Sequence, residues 1–109
     1  MKDCLFCKIV EGTIPTEFLY EDENVVAFKD ISPQAPIHTL IIPKFHISSF
    51  KNINETHGAM LVSVNKAAQK IVGNSDFRLV TNVGETAGQT VFHLHFHLLS
   101  GRNLSWPPG

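Results

Sequence analysis

The chain has 109 residues, 43% of them apolar, with nine Lys and Arg against ten Asp and Glu for a formal charge of −1. That length fits one domain, residues 1–109, whose modest core a second copy would enlarge. The charge balance argues against a nucleic acid polymer, which is normally met by a basic surface, and no apolar run approaches the ~18 residues that cross a bilayer. Met1 to Cys4 leads into no signal-peptide core, so the expected location is the cytoplasm, with the nucleus left open.

In chain order, Leu5, Phe6, Ile9 and Val10 recur at helical spacing and predict a short helix ended by Gly12 and Pro15. This segment carries the only cysteines, Cys4 and Cys7. A Cys-x-x-Cys pair reads as half of a zinc site, a redox couple or two free thiols; zinc would need two further ligands, for which His38, His46, His57 and the histidines at 93, 95 and 97 are available. Phe18–Glu21 and Val25–Lys29 flank the polar Asp22-Glu23-Asn24, the pattern of an antiparallel hairpin. Two prolines in Ser32-Pro33-Gln34-Ala35-Pro36 mark a connector, and Ile37–Ile42 is a strongly β-like run that Pro43 should stop. Residues 44–54 suggest only a loop or a helical turn. Leu61, Val64, Ala68 and Ile71 then predict an amphipathic helix over 55–72, capped by Asn54 and closed by Gly73, with His57 solvated near its start. Phe77–Val83 reads as a strand and residues 84–89 as a loop. The sum is an α+β fold: a mainly antiparallel five-stranded sheet with one short and one long helix.

The most informative stretch is His93-Leu94-His95-Phe96-His97. On a strand, alternate residues share a face, so the three imidazoles form one surface, about 6 to 7 Å apart in sequence step, while Leu94, Phe96 and Leu98 form the other. Such a row can ligate metal, supply a nucleophile with acid/base partners, or be mere spacing. Three ligands on one strand converge poorly on one ion, whereas imidazole is both nucleophilic and titratable near neutrality. His95, in the middle, is the natural nucleophile. Just upstream, Gly88-Gln89-Thr90 offers a glycine, an amide and a hydroxyl to an anion; with few cations nearby, a monophosphate group suits it better than a triphosphate.

His93-Leu94-His95-Phe96-His97-Leu98-Leu99 resembles the His-φ-His-φ-His-φ-φ signature of the histidine triad (HIT) superfamily, where φ is apolar. Asp30 to Pro36, His38 to Lys44 with His46, Gly88-Gln89-Thr90-Val91 and the ending Trp106-Pro107-Pro108-Gly109 are similar to its Hint branch, the purine nucleoside phosphoramidases. That resemblance implies a HIT-like fold and a homodimer whose sheets continue edge to edge, with the C-terminal segment reaching toward the partner's site. It implies hydrolysis of adenosine or guanosine 5′-phosphoramidates to AMP or GMP through a nucleotidylated histidine. His95 would be the nucleophile, His97 would contact the phosphate and leaving group, and His38 would belong to the proton network. Asp30 would hold the ribose; Leu5, Phe6, Ile9, Phe28, Ile31 and Leu40 would form the base pocket; Asn82, Gly88, Gln89, Thr90 and Val91 would line the phosphate. Thr90 stands where serine is common in this branch. Cys4 and Cys7 are absent from many Hint proteins, but HIT proteins that carry the pair bind structural zinc, which here implies Cys4, Cys7, His46 and His93 as ligands and no catalytic metal. The other enzyme reading is a dinucleoside polyphosphate hydrolase of the Fhit type, and the non-enzyme reading a purine-nucleotide-binding module.

Overall fold

A computed structural model describes residues 3–108. Helix α1, Leu5–Glu11, begins at Cys4, whose thiol accepts the N–H of Cys7 at 3.3 Å in the place an N-cap oxygen usually takes. Gly12, at φ 84°, closes it in the left-handed region that glycine enters without steric cost. Strands β1 (Tyr20–Glu21), β2 (Val25–Lys29), β3 (Ile37–Pro43), β4 (Phe77–Val80) and β5 (Phe96–Ser100) form one sheet in the order β1-β2-β3-β5-β4. Every neighbouring pair is antiparallel.

The two-residue period of the strands sorts two cores. Val25, Ala27, Ile41, Phe96 and Leu98 pack with helix α2, Gly58–Val72. Val26, Phe28, Leu40 and Ile42 pack instead with Cys4, Phe6, Cys7 and Ile9 of the α1 segment. A sheet covered on both faces needs apolar residues at consecutive positions, which is why Val25–Phe28 of β2 and Leu40–Ile42 of β3 read as unbroken runs. The α1 layer is the one that positions the site.

Asn54 caps a 3₁₀ turn at Glu55–His57 and not α2 itself, which begins at Gly58, three residues later than expected, with no side-chain cap. The Asn54 side chain accepts the Thr56 N–H at 2.9 Å, and its own N–H donates to His57 Nδ1 at 3.0 Å. His57, half-buried, therefore has a capping role and stacks on Phe45, with ring centroids 5.4 Å apart. The buried stripe of α2 is Met60, Ser63, Val64, Ala67, Ala68 and Val72; Leu61 and Ile71, expected at its centre, lie at its edges. Small residues at 63, 67 and 68 allow the helix close approach to the sheet, and Ser63 accepts a hydrogen bond from Asn24 at 3.0 Å. No described helix is long and apolar enough to cross a membrane.

Three strand ends depart from expectation. Pro43 is the last residue of β3, opposite Val25, and does not stop the strand ahead of itself. β4 ends at Val80 because Thr81 turns away to donate its hydroxyl to the His95 carbonyl at 2.8 Å. β5 starts only at Phe96, so of the three histidines His97 alone is in the ladder, between Leu40 and Val80. The run-in bends at residues 91–93 and is anchored where the Leu94 N–H bonds to the Ile47 carbonyl at 2.7 Å. Alternation still holds there, with Leu94 buried in the α2 core beside Phe96 and Leu98.

Candidate active site

The three histidines divide between two clusters. His93, fully buried, joins Cys4, Cys7 and His46. Its Nδ1 lies 3.3 Å from Cys4 Sγ and 3.5 Å from Cys7 Sγ, and His46 Nδ1 lies 3.4 Å from Cys7 Sγ. All four donor atoms are within 4.8 Å of one another. Sulfur at ~2.3 Å and nitrogen at ~2.0–2.1 Å from one tetrahedral ion stand about 3.5 Å apart, so these separations fit such a cage. His93 donates from Nε2 to the Pro43 carbonyl at 3.0 Å, which fixes the tautomer that turns the Nδ1 lone pair toward the sulfurs.

Burial, reinforced by His46 and His95 and opposed by the Pro43 carbonyl, holds the His93 imidazole down at about 4 against an ordinary 6.5. It is neutral at pH 7, the form that ligates. Burial also pushes the Cys7 thiol up. The sign for stability follows. The unfolded chain takes a proton at His93 near pH 6.5 and the folded chain only near 4, so stability is complete above the first value and falls as pH drops toward the second. We expect the urea midpoint of chelator-treated protein to fall steadily between pH 7 and pH 4.5. An unchanged midpoint would mean that His93 is not buried in its neutral form.

His95 and His97 belong to the second cluster, with His38 and Asp30. His95, also buried, donates from Nδ1 to the His93 carbonyl at 2.8 Å, which leaves Nε2 as an unprotonated lone pair. Phe6 meets its ring edge-on at 5.1 Å and holds it in place. His38 is fixed from the other direction: its Nδ1 accepts the Gln34 N–H at 3.0 Å, so its proton is on Nε2 and points to His97 Nδ1, 2.9 Å away. His97 in turn carries its proton on Nε2. Burial, then the neighbouring His95 and His38, lower the His97 pKa, while Asp30 acts to raise it. Asp30, His38 and His97 also lie within 4.8 Å of one another. A metal there would need the His38 Nε2 lone pair, which the Gln34 N–H on the opposite nitrogen denies it. The trio is a hydrogen-bond relay.

A cavity of about 600 Å³ opens beside this relay. Leu5, Phe6, Ile9, Phe28, Ile31 and Leu40 supply its apolar wall, and Asp30, Thr90, Val91, His95 and His97 its polar end. Ile31 stands at the rim, 98% exposed. Ile14, Pro15 and Thr16 complete the wall; sequence reading missed them, although an apolar residue just after a helix-closing glycine was the available signal. Asn82 lines a neighbouring cavity of about 620 Å³ that shares His97 with the first and is also lined by His38, Arg78 and Trp106. Gly88, at φ 98°, lies against Asn82. Gln89 does not face the cavity. It is buried, accepting from the Gly84 N–H at 2.9 Å and donating to the Ser48 and Val91 carbonyls at 2.8 and 3.1 Å. Its amide therefore shapes the loop and has no free group for an anion. The N–H groups of Gly88 and Gln89 are likewise spent, on Glu85 and Gly84. Thr90 and Val91 are the loop residues that reach the cavity.

A five-stranded antiparallel sheet with a triad of imidazoles at one face defines the class to which the chain's relatives belong. The family described as scavenger mRNA decapping enzyme C-term binding matches residues 3–105. A HIT family hydrolase from Legionella pneumophila superposes with a TM-score of 0.92 at 47% identity, covering 98% of this chain and 100% of its own. A histidine triad protein from Clostridium difficile does so with a TM-score of 0.84 at 41% identity, covering 96% of each chain. An uncharacterized HIT-like protein of Synechococcus elongatus is 43% identical over 99% of this chain and 98% of its own length. The chain belongs to the histidine triad superfamily, and its fold is that of the HIT family hydrolases.

Proposed function

We propose that the protein is a nucleotide hydrolase that cleaves the P–N bond of adenosine or guanosine 5′-phosphoramidates and releases AMP or GMP. The observation that carries this reading is the tautomer of His95: with Nδ1 tied to the His93 carbonyl, Nε2 is the lone pair of a residue lining a largely apolar cavity. In the first step Nε2 attacks the α-phosphorus and the P–N bond breaks. The amine leaves with the bonding pair and takes a proton, for which His97 Nε2–H is the donor. Water then attacks the phosphorus, the bond to His95 breaks back onto Nε2, and the proton lost from His97 is returned. The purine would lie among Phe6, Ile9, Phe28, Ile31 and Leu40, and Asp30 would hold the ribose hydroxyls. Asn82, Gly88, Thr90 and the Val91 backbone would surround the phosphate.

Cys4, Cys7, His46 and His93 would hold a structural zinc. When bound, the ion crosslinks α1 to the loop after β3 and to the approach to β5, which keeps the apolar wall of the cavity in place. The free edge of β4, with Phe77 41% and Leu79 38% exposed, supports a homodimer joined edge to edge.

A second reading, a dinucleoside polyphosphate hydrolase, is favoured by the neighbouring cavity across His97, which offers room for a second nucleotide. Steady-state release of AMP from adenosine 5′-phosphoramidate, compared with diadenosine triphosphate, separates the two. We expect the phosphoramidate to be the better substrate by kcat/KM. Preference for the dinucleotide would move the assignment to the second reading, and AMP binding without turnover of either would leave a binding module.

A further inference from the structure

Asp30 is held by more contacts than a ribose clamp requires. Its N–H donates to the His38 carbonyl at 3.0 Å, which sets it directly across from that residue. Its Oδ1 accepts the Ser32 N–H at 2.7 Å. This leaves Oδ2 at 3.4 Å from His38 Nε2 and 3.9 Å from His97 Nδ1, at the junction of the relay, with the side chain only 16% exposed.

We propose that Asp30 is a positioning residue for the chemical step: its Oδ2 sets the tautomers of His38 and His97, so that His97 presents N–H to the phosphate side. The inference rests on the hydrolase reading above and deepens it. A carboxylate can only accept, so it favours the His38 ring with a proton on Nε2 and disfavours the one that would turn a lone pair toward it. Given that ring, His97 Nδ1 must be the acceptor and Nε2 the donor. The Gln34 N–H enforces the same choice from the Nδ1 side, so the relay is braced at both ends.

Asp30→Asn exposes the role because the amide cannot satisfy both of its neighbours. The Ser32 N–H needs an oxygen, which turns the Asn NH₂ toward His38 Nε2 and sets donor against donor. Relief comes from the opposite tautomers, which give up the Gln34 N–H bond to His38 Nδ1 and leave His97 protonated on Nδ1 with its Nε2 bare. A pure ribose contact predicts none of this.

The test uses adenosine 5′-phosphoramidate and its 2′,3′-dideoxy analogue, which offers Asp30 no hydroxyl to bind. For a ribose clamp alone, D30N would raise KM on the ribose substrate and match wild type on the analogue. The expected result is a kcat lowered about tenfold or more on both substrates, the size of a mispositioned acid/base group. Long-range ¹⁵N–¹H spectra of the imidazoles give a readout independent of turnover. Wild type should show His38 and His97 protonated at Nε2, and D30N a shift of His97 toward Nδ1. Equal kcat on the analogue with an unchanged ¹⁵N pattern would overturn the proposal. Wild-type protein that turns over neither substrate would overturn the hydrolase reading instead, and the ¹⁵N pattern would then decide the role of Asp30 by itself.

Discussion

Replacing His95 with alanine is expected to lower AMP release from adenosine 5′-phosphoramidate by roughly 10⁴-fold or more, the scale on which enzymes lose activity when a covalent nucleophile is removed. The loss should fall on kcat, because the side chain forms one end of the cavity and not the apolar wall that would grip the base. The fold should survive. His95 contributes one hydrogen bond, to the His93 carbonyl at 2.8 Å, and edge contacts with Phe6 and His97, together worth about 2–3 kcal/mol. The backbone on either side is secured independently, by the Leu94 N–H on Ile47 and by the Thr81 hydroxyl on the His95 carbonyl. Acid-stable labelling is not needed to see the intermediate: rapid mixing with substrate labelled in the nucleotide, followed by alkaline quench, should leave label on wild-type protein and none on H95A. A fully active H95A would remove His95 as nucleophile, and the most exposed imidazole of the relay, His97, would be the next to test.

How much of this could be read from the chain depended on whether a residue's partner is near in sequence. Cys4 and Gly12 bracket α1, and Asn54 starts the turn that leads into α2, through contacts within a few positions, and these boundaries were legible. The His face was legible as alternation but not as pairing. The strand was expected to begin at His93, but His93 and His95 are engaged with Pro43, Cys4 and Cys7 and with Phe6, and ladder pairing starts only at Phe96. Gln89 shows the same limit from the other side: nothing local reveals that its amide is consumed by Gly84, Ser48 and Val91. The cysteine pair by itself left three readings open, and the two histidines that the fold brings beside it lie 39 and 86 residues beyond Cys7. The relay was hardest of all, because the Gln34 contact that sets the His38 tautomer comes from a backbone N–H, which no side-chain pattern can announce.

Removing metal should be the second largest effect. Purified protein is expected to carry about one zinc per chain, and chelation should lower the melting temperature by roughly 10 °C or more, equivalent to a few kcal/mol for a domain of this size. The domain should stay folded, unlike a zinc finger, because the core between the sheet and α2 contains none of the four proposed ligands. What loosens is the other layer. Cys4 and Cys7 bracket Leu5 and Phe6, and Ile9 follows one turn later, so the helix that supplies two of the four ligands also supplies part of the cavity wall. AMP affinity should therefore fall with the metal, and hydrogen exchange should rise in α1 while α2 stays protected. His46→Ala is the cleaner variant. It removes one ligand, is only partly buried, and leaves the contacts of His95 with Phe6 and the His93 carbonyl untouched. If H46A retains a full equivalent of zinc and the wild-type melting temperature, the four-ligand assignment fails. If it loses both the metal and AMP affinity, while the hydrogen exchange of α2 is unchanged, the ion is acting through α1 alone.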